Sequence, residues 1–593
     1  MTPETGCADI RRDTLIRPNR TETDKPDGRV WQSLAVLRPL PSLRHSVPGL
    51  ARAFARHLPQ ARALAGQLMQ KARLSQKAHL PHRADLARML RICARTRIFT
   101  LAVAAICVLL GVTAMAGDGR LLGAAAGFPG RQLATAAVTA PATPATSASA
   151  SASPTAPARA PAPAPPASAR CQRQYGLACY SPEQIQRAYD LPALYAKGLD
   201  GRGRTIVIVD SFGSPTIRHD LRVFDSAFAL PGPPSLRVLQ PVGAVPRYDP
   251  HNQDMVDAAG ETTTDVEAAH AIAPGASIVL VETPVAETLT GGGFPQFVAA
   301  ENYVVTHNLG DVISQSFGIP EQNFPGRAAL LKLRSAYVSA RHHDVTVLAA
   351  TNDFGVTGPA KAGGMFRTQR VVDWPASDPL VTAVGGTTLH LTGRGRRVSP
   401  DSAWNESSSA VVARYTGALP WASSGGVSAI FSRPAYQDAV HAVVGDRRGI
   451  PDVALSASFS GASLTFESFT GAPGTWKPAA GTSVATPYFA GIVAIADQAT
   501  HTRLGLLNPA LYRLEHSHAP GIVAVTRGGN TVSFKQGSKT ITVSGYRAGP
   551  GYNLVTGVGT IDAARFVHDL RALRTSSCQP AGQDDRGRAT CGT

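Results

Sequence analysis

The sequence predicts an α/β fold with a central, mostly parallel sheet that helices cover on both faces. Short runs that are apolar at nearly every position recur along the chain, and such runs are typical of parallel strands buried on both faces. Stretches with helical periodicity separate these runs, and strands that alternate with helices favour a parallel sheet. The predicted strands are TIVIVD (205–210), ASIVLVE (276–282), DVISQSFG (311–318), VTVLAAT (345–351) and VTAVGGT (381–387). The stretch 181–198 before them is predicted to be helical.

The formal net charge of +17 lies mostly before the predicted sheet. Residues 1–130 hold 20 Lys and Arg against 8 Asp and Glu, so the rest of the chain carries only about +5. The sequence shows no zinc-ligand spacing, no phosphate-binding glycine loop and no basic–aromatic stripe. It therefore predicts no nucleic-acid partner.

Residues 98–117, IFTLAVAAICVLLGVTAMAG, form an uncharged apolar run long enough to cross a bilayer. Three arginines between 91 and 97 favour a cytoplasmic N-terminus. Read from Met89, the same stretch has the basic start, apolar centre and small-residue end of a secretory signal. Two alternatives follow: a membrane anchor preceded by a basic extension, 1–97, that is disordered or cytoplasmic, or a signal peptide. Both predict that the chain after residue 117 lies outside the cytoplasm.

Residues 118–170 form a linker rich in Ala, Pro, Ser and Thr, a composition that predicts a semi-rigid spacer rather than a packed core. The globular domain is expected to span 171–572, and a tail, 573–593, follows it. Two cysteine pairs, Cys171 with Cys179 and Cys578 with Cys591, are spaced to close small loops in an oxidising compartment. Free thiols are the alternative.

A Gly-Thr pair leads into Ser483 and then into the apolar run 488–496, which predicts a buried helix. Pro487 suits the first turn of such a helix. The free N–H groups and the positive end of the helix dipole would favour an oxyanion beside Ser483 Oγ. Ser483 is therefore a candidate nucleophile, and an ordinary N-cap serine is the alternative.

Glu261 and Asp265 lie four residues apart in GETTTDVE, so a helix would place both carboxyls on one face. Carboxyls that close together share protons, since two negative charges repel. Glu261 is a candidate general base for the serine, and Asp265 would hold and tune it. The alternative is an exposed acidic helix face.

The segment GTS-x-A-x-P before a buried helix resembles the nucleophile segment of subtilisin-like serine peptidases. GETTTDVE resembles the G-E-x-x-x-D-x-E segment of one of their families, the sedolisins or kumamolisin-like serine-carboxyl peptidases. Further matching segments follow in the same order over most of 181–565, and no H-G-T-H segment, the source of the subtilisin base, occurs. The resemblance implies a subtilisin-like, three-layer α/β fold.

The same resemblance implies an oxyanion-hole aspartate after the strand VTVLAAT, and Asp353 takes that position. An aspartate stabilises an oxyanion only while it is protonated, so the site is expected to work best in acid. Asn352 replaces the glycine that usually precedes this aspartate. Its amide is an alternative oxyanion donor, which would relax the need for acid.

The resemblance as a whole implies a serine-carboxyl endopeptidase that hydrolyses proteins or peptides without a cofactor. The apolar segment 98–117 predicts that it acts outside the cytoplasm, and we expect a monomer. The family carries a calcium site built from two aspartates and backbone carbonyls. Ala524 and Asn553 stand where those aspartates would be, which predicts no tight calcium binding. Only the Ala/Pro spacer precedes Cys171, so the activation route stays open. The alternative function is a catalytically silent relative that binds peptides or cell-envelope partners through the same cleft.

Overall fold

The computed structural model describes residues 162–361 and 364–577. The basic extension, the apolar segment 98–117, most of the linker and the predicted Cys578–Cys591 pair lie outside these residues. Across the described ranges, none of the helices combines the length and the apolar character that a membrane crossing requires.

The strands are short, and eight of the nineteen in the described residues belong to one central sheet. In chain order they are β1 (Ala178–Tyr180), β2 (Thr205–Ser211), β3 (Leu236–Leu239), β4 (Ser277–Thr283), β5 (Val312–Gln315), β6 (Ile319–Pro320), β7 (Thr346–Ala350), β8 (Asp373–Trp374), β9 (Thr382–Thr388), β10 (Ser402–Ala403), β11 (Gly426–Ser432), β12 (Arg447–Ile450), β13 (Val453–Ser456), β14 (Gly461–Glu467), β15 (Thr475–Ala479), β16 (Ile522–Val523), β17 (Val532–Gln536), β18 (Lys539–Val543) and β19 (Thr560–Ile561).

The helices pack against the sheet or connect its strands. They are α1 (Ser168–Tyr175), α2 (Pro182–Ala188), α3 (Pro192–Tyr195), α4 (Ile217–Phe228), α5 (Gln253–Ile272), α6 (Phe294–Thr306), α7 (Arg327–Leu331), α8 (Ser335–His342), α9 (Ala410–Thr416), α10 (His441–Val444), α11 (Thr482–Thr500), α12 (Asn508–His516) and α13 (Ala563–Ser577).

The central sheet has the order β10-β9-β7-β5-β2-β4-β3, with β13 paired to β9 as well. Its ladders are parallel except for the short pairing of β10 with β9. All five predicted strands belong to this sheet, which confirms the predicted fold class. The third predicted strand, 311–318, is shorter than expected, because β5 ends at Gln315.

Alternate residues of the central strands pack into two separate cores. Ile206 and Ile208 of β2 belong to the core that contains α5 and α11. Val207 and Val209 belong to the core that contains α6 and α8. Because successive strand side chains point to opposite faces, the sheet is the middle of three layers.

Two local expectations need correction. The stretch 181–198 is two helices, α2 and α3, because Pro192 lacks the N–H that would continue α2, and Asp190 between them has a left-handed φ of 58°. Pro487 lies inside α11 rather than in its first turn, since the helix already begins at Thr482. Gly481, with a φ of 118° that favours glycine, forms the N-cap.

The predicted pair Cys171 and Cys179 has Cα atoms 5.9 Å apart, a distance that suits a disulfide. Cys171 lies in α1 and Cys179 in β1, at the start of the domain. Trp476 Nε1 of β15 donates a hydrogen bond to the carbonyl of Pro163, 2.6 Å away. The last residues of the linker therefore contact the domain.

Candidate active site

Ser483 is the second residue of α11 and is fully buried. Within the described residues, its Oγ has no hydrogen-bond partner. An N-cap serine would bond a backbone N–H of the first turn, so the N-cap interpretation is wrong. The hydroxyl is instead uncommitted at the positive end of a helix of 19 residues.

The carboxyl of Asp353 is fixed beside this helix end. Thr482 donates to Asp353 Oδ1 through both its N–H, at 2.7 Å, and its Oγ1, at 2.8 Å. Asp353 Oδ2 is buried and has no hydrogen-bond partner among the described residues. Burial raises the pKa of Asp353 to about 7, although the two bonds from Thr482 lower it. Below that pH Oδ2 can carry a proton and act as a donor.

Asn352 is turned away from this arrangement. Its backbone has a left-handed φ of 87°, which accounts for the glycine usual at this position. Its Oδ1 accepts from the N–H of Asp353 at 2.6 Å, and its Nδ2 donates to Asp373 Oδ2. The geometry thus commits the amide donor of Asn352 to another carboxylate.

Glu261 and Asp265 lie one turn apart on α5, as the sequence predicted. Glu261 is partly exposed and Asp265 is completely buried. Burial raises the pKa of Asp265 well above its usual value, and repulsion from Asp210 and Glu261 raises it further. The pair therefore holds at least one proton over the acidic range.

Ser316 connects the serine side of the site to the carboxyl side. Its Oγ donates to the carbonyl of Ser483 at 3.4 Å, and its hydroxyl lowers the pKa of Asp265. The carbonyl is available because its α-helical partner would be the N–H of residue 487, which is a proline. Sequence reasoning missed this role of Ser316 and Pro487; the i, i+4 spacing of Ser483 and Pro487 was the available signal.

The carboxyl of Asp210, near the end of β2, belongs to the same cluster as those of Glu261 and Asp265. Burial raises its pKa to about 7, the neighbouring Thr262 hydroxyl lowers it, and Glu282 raises it. Within residues 162–361 and 364–577 no histidine is hydrogen-bonded to Ser483 Oγ. The Nε2 atom of the buried His270 lies 2.9 Å from the Pro231 carbonyl and 3.1 Å from Asp225. In this part of the chain, a subtilisin-type arrangement with Asp210 therefore has no histidine on the serine.

The loop that would hold the family's calcium is closed by hydrogen bonds of its own. Asn553 Nδ2 donates to the carbonyls of Gly549 and Gly551, at 3.3 and 3.4 Å. Its Oδ1 accepts from the N–H groups of Val555 and Thr556. In the described ranges no group of three His, Cys, Asp or Glu side chains could hold a metal ion. An amide donor facing two carbonyls does not suit Ca²⁺, which needs oxygen ligands.

Known proteins are similar to this chain in sequence. The chain is 31% identical over 413 residues to kumamolisin of Bacillus sp. (strain MN-32), covering 68% of this chain and 64% of that protein. It is 30% identical over 273 residues to sedolisin of Pseudomonas sp. (strain 101), covering 46% of this chain and 43% of sedolisin. It thus spans less than two thirds of the length of these relatives. No family model matches.

A solved structure is also similar. It is that of Pseudomonas sedolisin, a serine-carboxyl proteinase, complexed with two molecules of pseudo-iodotyrostatin. The TM-score is 0.56 at 26% sequence identity, and the match covers 67% of this chain and 99% of that chain. The sequence relatives and the solved structure lead to one family, and the chain belongs to the sedolisin family.

Proposed function

We propose that this protein is a serine-type endopeptidase of the serine-carboxyl class. Ser483 Oγ attacks the scissile carbonyl, and Glu261 takes its proton and returns it to the leaving amine. Asp265 supports Glu261, and protonated Asp353 donates to the oxyanion through Oδ2. The observation that carries the proposal is an uncommitted, buried serine hydroxyl at a helix N-terminus, adjacent to a protonatable carboxyl that Thr482 holds in place.

The electrostatics of the site favour acid. Protonated Asp353 is a donor below a pH of about 7, the value to which burial raises its pKa. Removing one oxyanion donor from a serine peptidase typically costs about 100- to 1,000-fold in kcat. We therefore propose that hydrolysis of proteins or peptides is fastest in acid, in an extracytoplasmic compartment, and that no metal or organic cofactor takes part.

The direct test is a pH–rate profile of the full chain from about pH 2.5 to about pH 8 on a quenched peptide library, with Ser483→Ala measured alongside. We expect activity that peaks in acid and is lost in the variant, while its circular dichroism spectrum is unchanged. Residual turnover of the same peptides by Ser483→Ala would place the nucleophile elsewhere. A folded wild-type chain without activity at any pH would favour the silent, peptide-binding relative.

A further inference from the structure

Two segments of the chain, one directly after Asp353 and one beyond Ser483, carry positive charges and no negative ones. Residues 354–372 contain three Lys and Arg, and residues 516–561 contain four, while neither segment contains Asp or Glu. The globular part of the chain is otherwise of mixed charge. Together the two segments carry seven positive charges that no acidic residue within them offsets.

The two segments pack against each other. The rings of Phe366 and Phe534 lie 5.2 Å apart, and Gln536 Oε1 accepts from the N–H of Phe366 at 2.9 Å. Arg370 donates to the carbonyl of Ser544 at 2.7 Å and lies over the ring of Tyr546, 4.7 Å from its centroid. The hairpin β17–β18 is thus seated on the segment 364–372.

We call the unit formed by residues 364–372 and 532–547 the basic hairpin. Four of its cationic side chains are exposed: Arg370, Lys535, Lys539 and Arg547. None of the ion pairs found in residues 162–361 and 364–577 involves any of them. Lys535 and Lys539 stand at the tip of the hairpin, opposite Thr540 and Gln536. Their charges are therefore free to act on a molecule in solution.

The basic hairpin is joined to the oxyanion side of the candidate site. Phe354, the residue after Asp353, packs against Phe366 with ring centroids 4.9 Å apart, and Phe366 in turn packs against Phe534 of β17. If a polypeptide bound at Ser483 runs along the oxyanion side, its flanking residues approach this charge. An exposed cluster of one sign beside a site raises the local concentration of oppositely charged ligands.

We propose that the basic hairpin binds acidic stretches of the polypeptide substrate that flank the cleaved bond. This proposal rests on the proposed peptidase function. The aromatic rings of the unit do not form a stacking platform for nucleic acid, because Phe366 and Phe534 are buried and Tyr546 lies under Arg370. Met365 is its one large hydrophobic side chain that is strongly exposed, among the described residues, which is little for insertion into a membrane.

The test uses the full chain and two fluorogenic peptides with the same cleavable centre, one flanked by Asp and Glu and one by Ser and Gly. The variant Lys535→Glu/Lys539→Glu reverses both charges at the tip, and Arg394→Glu/Arg396→Glu makes the same change on an exposed loop elsewhere. At about pH 6 and low salt, we expect the hairpin variant to lower kcat/KM on the acidic peptide by about tenfold, chiefly through KM. The kcat/KM of the hairpin variant on the neutral peptide, and that of the loop variant on either peptide, should change less than about twofold.

If the loss of kcat/KM that the hairpin variant shows on the acidic peptide is electrostatic, two conditions must remove it. At an ionic strength near 1 M, screening should abolish it. Near pH 3 the substrate carboxylates, with pKa values of about 4, are protonated, and the two peptides should become equivalent. An equal loss on both peptides, or no loss on the acidic one, would overturn the proposal.

A binding measurement separates this proposal from the peptidase function. Fluorescence anisotropy of the labelled acidic peptide on Ser483→Ala, with and without the hairpin substitutions, reports binding even if no peptide is cleaved. Weaker binding of the acidic peptide by the hairpin variant supports the proposal, and unchanged binding rejects it. Loss of binding to phosphatidylserine vesicles without any change towards the acidic peptide would assign the hairpin to a membrane instead and would also reject it.

Discussion

Asp353 is the residue that sets the upper limit of the proposed pH range. Its Oδ1 is occupied by Thr482, so only Oδ2 can donate to an oxyanion, and only when protonated. In Asp353→Asn the amide can donate at every pH. We expect the loss of activity near pH 7 to disappear, while the rate in acid stays within about tenfold of wild type, as kcat/KM against pH would show. A variant with an unchanged alkaline limb would exclude Asp353 as its cause.

Asn352→Gly is the matched control at the neighbouring position. Its amide is committed to Asp373, and glycine readily adopts the φ of 87° found there. The variant should therefore keep its pH profile and most of its activity. If Asn352→Gly instead lost about 100-fold in kcat with an intact fold, the oxyanion donor would be the asparagine.

At the scale of elements, the site depends on how closely α5 and α11 approach each other. A Cβ added to Gly491 of α11 would lie 2.7 Å from the Cβ of Ile272 at the end of α5. Helix α5 carries Glu261, the proposed base, and α11 carries Ser483, the proposed nucleophile. Any separation of the two helices therefore moves these side chains apart.

We expect Gly491→Ala to reduce both stability and kcat, because overpacking of this kind costs about 1–3 kcal/mol and exceeds the gain in helix propensity. Thermal unfolding and steady-state kinetics measure the two effects. Gly393→Ala is the control, since an added Cβ there meets nothing within 4 Å. A raised Tm for Gly491→Ala would contradict the packing argument.

At the same scale, the loop 549–556 is predicted to fold without the family's metal. We predict that a chelator leaves the Tm of the wild type unchanged, because Asn553 already satisfies the carbonyls of Gly549 and Gly551. Asn553→Asp replaces this donor by a carboxylate that faces two carbonyls, so it should lower the Tm in chelator, and added Ca²⁺ should restore part of the loss. Micromolar calcium binding by the wild type in isothermal titration would refute the prediction.

At the scale of the whole molecule, buried carboxyls should make the fold more stable in acid than at neutral pH. Burial raises the pKa of Asp210 and Asp353 to about 7 and that of Asp373 to about 8. Between the pKa of the unfolded chain, about 4, and these values, the folded state binds more protons than the unfolded state. The free energy of unfolding therefore falls as pH rises through this interval.

We accordingly expect the Tm to decrease from about pH 4 to about pH 8, which scanning calorimetry measures. Glu301→Gln should flatten the slope, because burial raises the pKa of Glu301 well above its usual value and neither carboxyl oxygen has a partner in the described part of the chain. A Tm that rises towards neutrality would show that these groups ionise without cost in the folded state.

Several parts of the site could be predicted from local sequence. The four-residue spacing of Glu261 and Asp265 places them on one helix face wherever that helix lies. The bond from Thr482 to Asp353 joins residues 129 positions apart, and the bond from Ser316 to Ser483 joins residues 167 apart. No local pattern encodes such distances, which is why the commitment of Asn352 to Asp373 and the contribution of Ser316 were not foreseen.

The sequence by itself determined the fold class, the family and the residues of the candidate site, because runs of apolar residues encode burial and motifs encode local geometry. Only the tertiary structure decided which of these groups are free to react. Among the described residues it leaves Ser483 Oγ and Asp353 Oδ2 without partners, and it commits the amides of Asn352 and Asn553 to neighbouring oxygens. It also packs two distant basic segments into one hairpin unit beside the site. Hydrogen bonding and burial depend on every neighbour in space, and the chain acquires those neighbours only when it folds.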